Sequence, residues 1–115
     1  MKIINPVLFN DTFQYFDKEI VVEIIDIFIN EYAERMSKIR EAIQSKNYAD
    51  LKFNAHSMKG VVANFAVPDL QALARDLEIA GSEQNLTNVE EKFQKFSEQS
   101  QWLVDDLKEI RSQFL

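Results

Sequence analysis

Apolar residues recur along this chain at alternating three- and four-residue steps, the period of one face of an α-helix, and short breaks interrupt the pattern. From about 18 to 45, Val21, Ile25, Phe28, Tyr32, Met36, Ile39 and Ile43 make one such stripe and predict a long core helix. Its first half carries a second stripe, Ile20, Ile24 and Ile27, which is more apolar surface than one bundle seam requires. The ordinary expectation is that an N-terminal arm with Phe13 and Phe16 covers it; the alternative is a partner-docking patch, since exposed apolar patches are the minority case.

Further breaks divide the rest. Asn47 is a good N-cap for a helix over about 48–65, with Leu51, Ala55, Met58, Val62 and Phe65 inward. Pro68 disfavours helical geometry at Val67 and suits the first turn of a helix over about 68–80, in which Leu70, Leu73, Leu77 and Ala80 face in and Gly81 is the expected stop. Thr87-Asn88-Val89-Glu90 reads as a capping box opening a last helix, about 88–113, with Leu86, Val89, Phe93, Phe96, Ser100, Leu103, Leu107, Ile110 and Phe114 in near-heptad register. Near the start, Asp11-Thr12-Phe13-Gln14 also reads as a capping box and predicts a short helix there, with Val7, Leu8 and Phe9 as an apolar arm lying across the bundle. The sum is an all-α fold, an antiparallel up-down four-helix bundle with a short N-terminal capping helix. Residues 1–17 supply the arm and short helix, and 18–115 the bundle, within a single domain spanning 1–115.

Composition narrows the classes of function. A chain of 115 residues with two Gly, two Pro and nine Phe can bury one core and has no linker-rich tract. The absence of cysteine removes disulfides and thiolate chemistry. No window reaches the roughly 18 apolar residues of a membrane span and no secretory leader is visible, so no membrane partner and a cytoplasmic location are expected. A net charge of −6 argues against nucleic acid, whose backbone is bound by clustered Lys and Arg. The four stripes can all be accommodated within one bundle, which predicts a monomer.

The single histidine, His56, is the informative residue. At a 100° step per residue it lies about 140° from the core stripe of its helix, on an outer side shared with Lys52, Lys59, Gly60 and Ala63. Lys59 at i+3 and Lys52 at i−4 can put positive charge beside the imidazole, suiting an added phosphoryl group. Gly60 costs a helix interior about 0.8–1 kcal/mol relative to Ala, so it needs a reason. One is clearance for another protein's backbone. On geometry alone, a solvated lysine face and a glycine admitted by a tight helix contact stand level with that reading. Phe53, about 200° from the core stripe, either belongs to a docking face or packs against a neighbouring long helix.

The run Ala55-His56-Ser57-Met58-Lys59-Gly60-Val61-Val62-Ala63-Asn64-Phe65, followed by Leu70, Leu73, Ala74, Leu77, Glu78 and Gly81, resembles the histidine-containing phosphotransfer (HPt) family. The motif covers roughly residues 50–82 and the helix pattern covers the remainder. The resemblance implies a phosphocarrier of a two-component phosphorelay. His56 takes a phosphoryl group from a receiver-domain aspartyl phosphate and passes it to another receiver, Lys59 neutralises phosphate charge, and Gly60 leaves room for the partner. The partners implied are receiver domains of a hybrid histidine kinase and of a response regulator. Lys52, Phe53, Ala63 and Asn64 are the docking candidates. Magnesium belongs to the receiver, so the chain needs no cofactor of its own. Relatives often have glycine where this chain has Ala66, a departure expected to be local to the loop.

A neutral imidazole is a competent nucleophile near pH 7. The glycine-rich loop and acidic metal ligands of an ATP-dependent kinase are missing, so self-phosphorylation is not expected. The main competing reading is a non-phosphorylated helical adaptor that binds receiver or kinase domains. A di-iron bundle needs inward Glu-x-x-His pairs, but residue 53 is Phe and there is no second histidine. A hydrolase with paired carboxylates finds no pair that stands out.

Overall fold

The chain enters its first helix at Asn5 and Pro6, earlier than the Asp11–Gln14 spacing predicts. Asn5 Oδ1 accepts from the amides of Val7 and Leu8 at 2.9 and 3.3 Å. Pro6 then occupies the first turn, where its missing N–H costs nothing and its fixed φ suits the helix. The computed structural model describes residues 1–114. Its helices are α1 Pro6–Phe13, α2 Lys18–Gln44, α3 Tyr48–Ala63, α4 Pro68–Ser82 and α5 Val89–Gln113. The last four begin and end within two residues of the periodicity-based expectation.

The expected capping box at residue 11 therefore falls inside the last turn of α1, and Val7, Leu8 and Phe9 are helical rather than an arm. Only Phe9 of those three is buried; Val7 and Leu8 face solvent. The true arm is shorter. The amides of Ile3 and Ile4 donate to Asp106 Oδ2 at 2.7 and 2.9 Å, and Lys2 lies alongside. Asp106 is 5% exposed, so its charge is tolerable only because those donors satisfy it.

Phe13 brings α1 onto the end of the bundle, with ring centroids 4.8 Å from Phe9 and 6.4 Å from Phe65, which in turn packs 5.3 Å from Phe28. Because α1 sits over this aromatic end, it leaves the second stripe of α2 uncovered. Ile24 is half-buried, but Ile20 and Ile27 are 43% and 51% exposed, contrary to the expectation that the N-terminal arm shields them.

The bundle is antiparallel, with α3 between α2 and α4, and α5 closing the ring against both. Leu51, Ala55, Met58 and Val62 of α3 meet Leu70, Ala74 and Leu77 of α4 and Phe96, Leu103 and Leu107 of α5 in one core. Each large apolar side chain buried there contributes roughly 1.5–3 kcal/mol. The long helices are tied near their ends by Arg111 to Asp26 and by Arg40 to Glu90.

Gly81 is not a stop. It lies within α4, and an ideal Cβ on it would fall 2.6 Å from the amide nitrogen of Lys52 and 2.8 Å from the carbonyl oxygen of Tyr48. The glycine permits backbone contact between α3 and α4, and α4 runs past it. The chain leaves α4 through Gln84 and enters α5 through Asn88, both left-handed, with φ of 54° and 60°. Asn88 makes no side-chain cap, so the second expected capping box is also absent; instead the Thr87 amide donates to Asn85 Oδ1 at 3.0 Å. Ala66 has φ 55°, the conformation in which glycine is at ease, and an L-residue there costs about 1 kcal/mol or more. The turn keeps its left-handed geometry despite the alanine.

Candidate phosphoryl-acceptor site

α3 presents His56 outward, with 67% of its side chain exposed. The helix is fixed at its start by Asn47, whose Oδ1 accepts from the Asp50 amide at 3.0 Å, and along its length by the buried stripe on the opposite face. Rotation of the helix is thus set by the core, and His56 points away from it as the periodicity predicts.

One residue outside the sequence-based site completes the geometry. Glu78 of α4 reaches across the seam, its Oε2 2.7 Å from His56 Nδ1 and its Oε1 2.6 Å from Lys59 Nζ. Its side chain is only 17% exposed. The hydrogen bond from Lys59 is the main influence holding the Glu78 carboxyl below its ordinary value near 4.5. Desolvation opposes this, and His56 assists it. At neutral pH Glu78 is therefore a carboxylate, which can only accept hydrogen bonds. Its contact with Nδ1 then requires the proton on Nδ1, which leaves the lone pair on Nε2, the ring nitrogen turned away from α4.

This arrangement modifies the expected cationic pocket. Lys59 is near His56 but engages it through a shared carboxylate, so the pair of expected lysines does not form a simple positive patch. Lys52 is exposed and forms no ion pair among the described residues. Phe53 is 72% exposed, so the alternative in which it packs against a neighbouring helix is not realised. Ala63 and Asn64 are exposed near the C-terminal end of the same helix. An added Cβ at Gly60 would find no atom within 4 Å, so no helix contact within the chain accounts for that glycine. On the side facing α2, Ser57 Oγ accepts from Arg35 Nη1 at 2.8 Å, and Arg35 also pairs with Glu31.

Glu78 carried only a partial signal in the sequence. It follows the inward Leu77 and sits one helical step off the core direction, which places it at a seam without saying which neighbour it meets. The partner depends on the stagger of α4 against α3, and that stagger is set by the close approach at Gly81. No group of three or more His, Cys, Asp or Glu residues capable of holding a metal is present among the described residues. No helix among them is long and apolar enough to cross a membrane.

A surface imidazole on the second helix of a four-helix ring, oriented from the next helix, defines the class of the fold and site. The Hpt domain family matches residues 23–113, and the chain belongs to that family. Its members are phosphocarriers rather than kinases and work with receiver domains of two-component proteins. The chain also resembles the crystal structure of histidine-containing phosphotransfer protein B (HptB) from Pseudomonas aeruginosa PAO1, with a TM-score of 0.86 at 19% identity over 96% of each chain. No curated protein matches at the sequence level.

Proposed function

We propose that His56 is the phosphoryl carrier of this Hpt domain, taking the group from a receiver aspartyl phosphate and returning it to another receiver. The observation that carries this reading is the Glu78–His56 contact, which selects the tautomer with a free Nε2. In the forward step the Nε2 lone pair forms a bond to phosphorus while the bond from phosphorus to the aspartyl oxygen breaks. The aspartate leaves as a carboxylate. The proton on Nδ1 stays in place, and the positive charge arising on the ring is stabilised by Glu78. The second receiver reverses these steps.

Lys59 serves two acceptors in turn. It holds Glu78 in the unphosphorylated state and offers its remaining N–H donors to phosphoryl oxygens when the group arrives. Gly60 keeps the approach to Nε2 free of side-chain atoms. Lys52, Phe53, Ala63 and Asn64, together with the uncovered Ile20 and Ile27, give the partner an apolar face with charge at its rim, suited to brief and specific encounters. Magnesium belongs in this reading to the receiver, whose own carboxylates hold the ion, and this chain contributes no metal ligand to the reaction. The proposed partners are a hybrid kinase receiver and a response-regulator receiver, met by a monomer in the cytoplasm.

Incubation with a phosphorylated receiver domain and magnesium tests the reading. Acid-labile phosphate should appear on the wild-type chain and be absent from His56→Gln, which should melt like wild type because the side chain is exposed. Binding of the receiver without label on either chain would favour the non-phosphorylated adaptor.

A further inference from the structure

Nε2 of His56 faces away from α4, and on the other flank of α3 lies α2. The residue adjoining His56 on that flank is Ser57, whose hydroxyl holds the guanidinium of Arg35 at 2.8 Å. Arg35 is 28% exposed at its side chain and shares a second contact, at 3.3 Å, with Glu31, itself 45% exposed. A cation is thus held on the residue next to the acceptor histidine, on the flank of α3 opposite the one Glu78 occupies. Lys59 stands on the other flank, already engaged by Glu78.

Resting on the reading of His56 as the carrier, we infer that Arg35 is a second phosphate-binding residue, which leaves Glu31 and donates to the phosphoryl oxygens once Nε2 is phosphorylated. Three features favour this over a purely structural bridge between α2 and α3. The Arg35–Glu31 pair joins successive turns of one helix in a partly exposed position, a weak and solvent-screened kind of contact, so a nearby dianion competes with it readily. A guanidinium has five N–H donors in a fixed fork, and the Ser57 and Glu31 contacts leave donors free for phosphate. Finally, the phosphorylated ring and Lys59 carry two positive charges against the one negative charge of the Glu78 they share, so a single net positive charge faces the phosphoryl dianion and one more cation is needed. The other charged groups facing this region are Glu34 and Lys38 of α2, which pair with each other at 3.3 Å, Lys52 of α3, and Glu78 of α4.

Phosphoramidate tests the assignment without a protein partner. The Nε2–phosphorus bond forms as the phosphorus–nitrogen bond of the reagent breaks and ammonia leaves. The ³¹P resonance of the product, followed against pH, reports the midpoint between phosphoryl monoanion and dianion. A cation in contact with the dianion lowers that midpoint. Arg35→Gln should raise it by about half a pH unit, the full effect of a contact ion being reduced here by solvent. Arg35→Lys should restore most of the shift, and Lys59→Gln should raise the midpoint as an independent control. A purely structural bridge would lower the melting temperature of Arg35→Gln and leave the midpoint where it was. A midpoint indifferent to Arg35 but sensitive to Lys59 overturns this inference alone, and no phosphoryl signal from His56 in the wild type overturns the carrier reading together with it.

Discussion

The two glycines of this protein occupy helices that touch, yet they face opposite conditions. At Gly81, on the inner side of the α3–α4 seam, an added carbon would collide with two backbone atoms of α3. At Gly60, on the outer side of α3, it would meet nothing. The same residue thus closes a contact inside the molecule and leaves an opening on its surface. The seam needs glycine for the fold to form. The outer face carries a helix-weakening residue from which the isolated fold gains nothing, so the reason for it lies in something that approaches from outside.

Substitution at both sites separates these explanations. Gly81→Ala has the larger expected effect. The backbones at Tyr48 and Lys52 have to move, and overpacking of this kind costs about 1–3 kcal/mol, only partly offset by the roughly 1 kcal/mol that alanine returns in helix propensity. A lowered thermal midpoint checks it, and a midpoint at or above that of wild type would show that the seam is looser than described. Gly60→Ala should move the other way, stabilising the chain by about 0.8–1 kcal/mol. The same variant should slow transfer from a receiver, tenfold if the clash costs about 1.4 kcal/mol at the transition state. A stabilised protein with unchanged transfer would remove the clearance argument.

The effect expected at Glu78 is smaller and depends on pH. Its carboxyl titrates lower in the folded chain than in the unfolded one, so the folded state binds the proton more weakly. The associated stability is fully present above the ordinary value near 4.5 and disappears as pH falls through the lower folded value. Glu78→Gln should flatten that part of the stability–pH curve. It should also reduce the rate of His56 phosphorylation at pH 7, because the amide can accept from Nδ1 but brings no charge to stabilise the ring. Melting curves between pH 3 and 7, alongside transfer assays, follow both consequences.

The helices that bury a continuous stripe were legible from periodicity, because a 3.6-residue pattern and a core specify each other. α2, α3, α4 and α5 follow that rule, and the outward direction of His56 follows from it. Helix starts were less legible. Asp11-Thr12-Phe13-Gln14 has the right letters for a cap, but Asn5-Pro6 supplies both a side-chain acceptor and a preset φ, and the earlier signal takes the helix. At Thr87-Asn88-Val89-Glu90 the loop from α4 arrives in a left-handed turn at Asn88, which precludes the box geometry. Gly81 and Glu78 both stand in the family-like motif, but their roles escaped for a common reason. Each acts on a different helix, and the meaning of a residue at a seam depends on the axial offset of two helices, which no single-helix pattern contains.

The buried carboxylate of Asp106 carries a topological consequence. By holding the amides of Ile3 and Ile4 it fastens the start of the chain to the last two turns of α5, and Ile4 and Phe114 line the same cavity. The two ends of the described chain are therefore neighbours, and a short flexible linker can join them. A circular permutant opened between α2 and α3 at Lys46, whose φ of 56° is left-handed, would keep every helix intact while turning His56's helix into the first element of the chain.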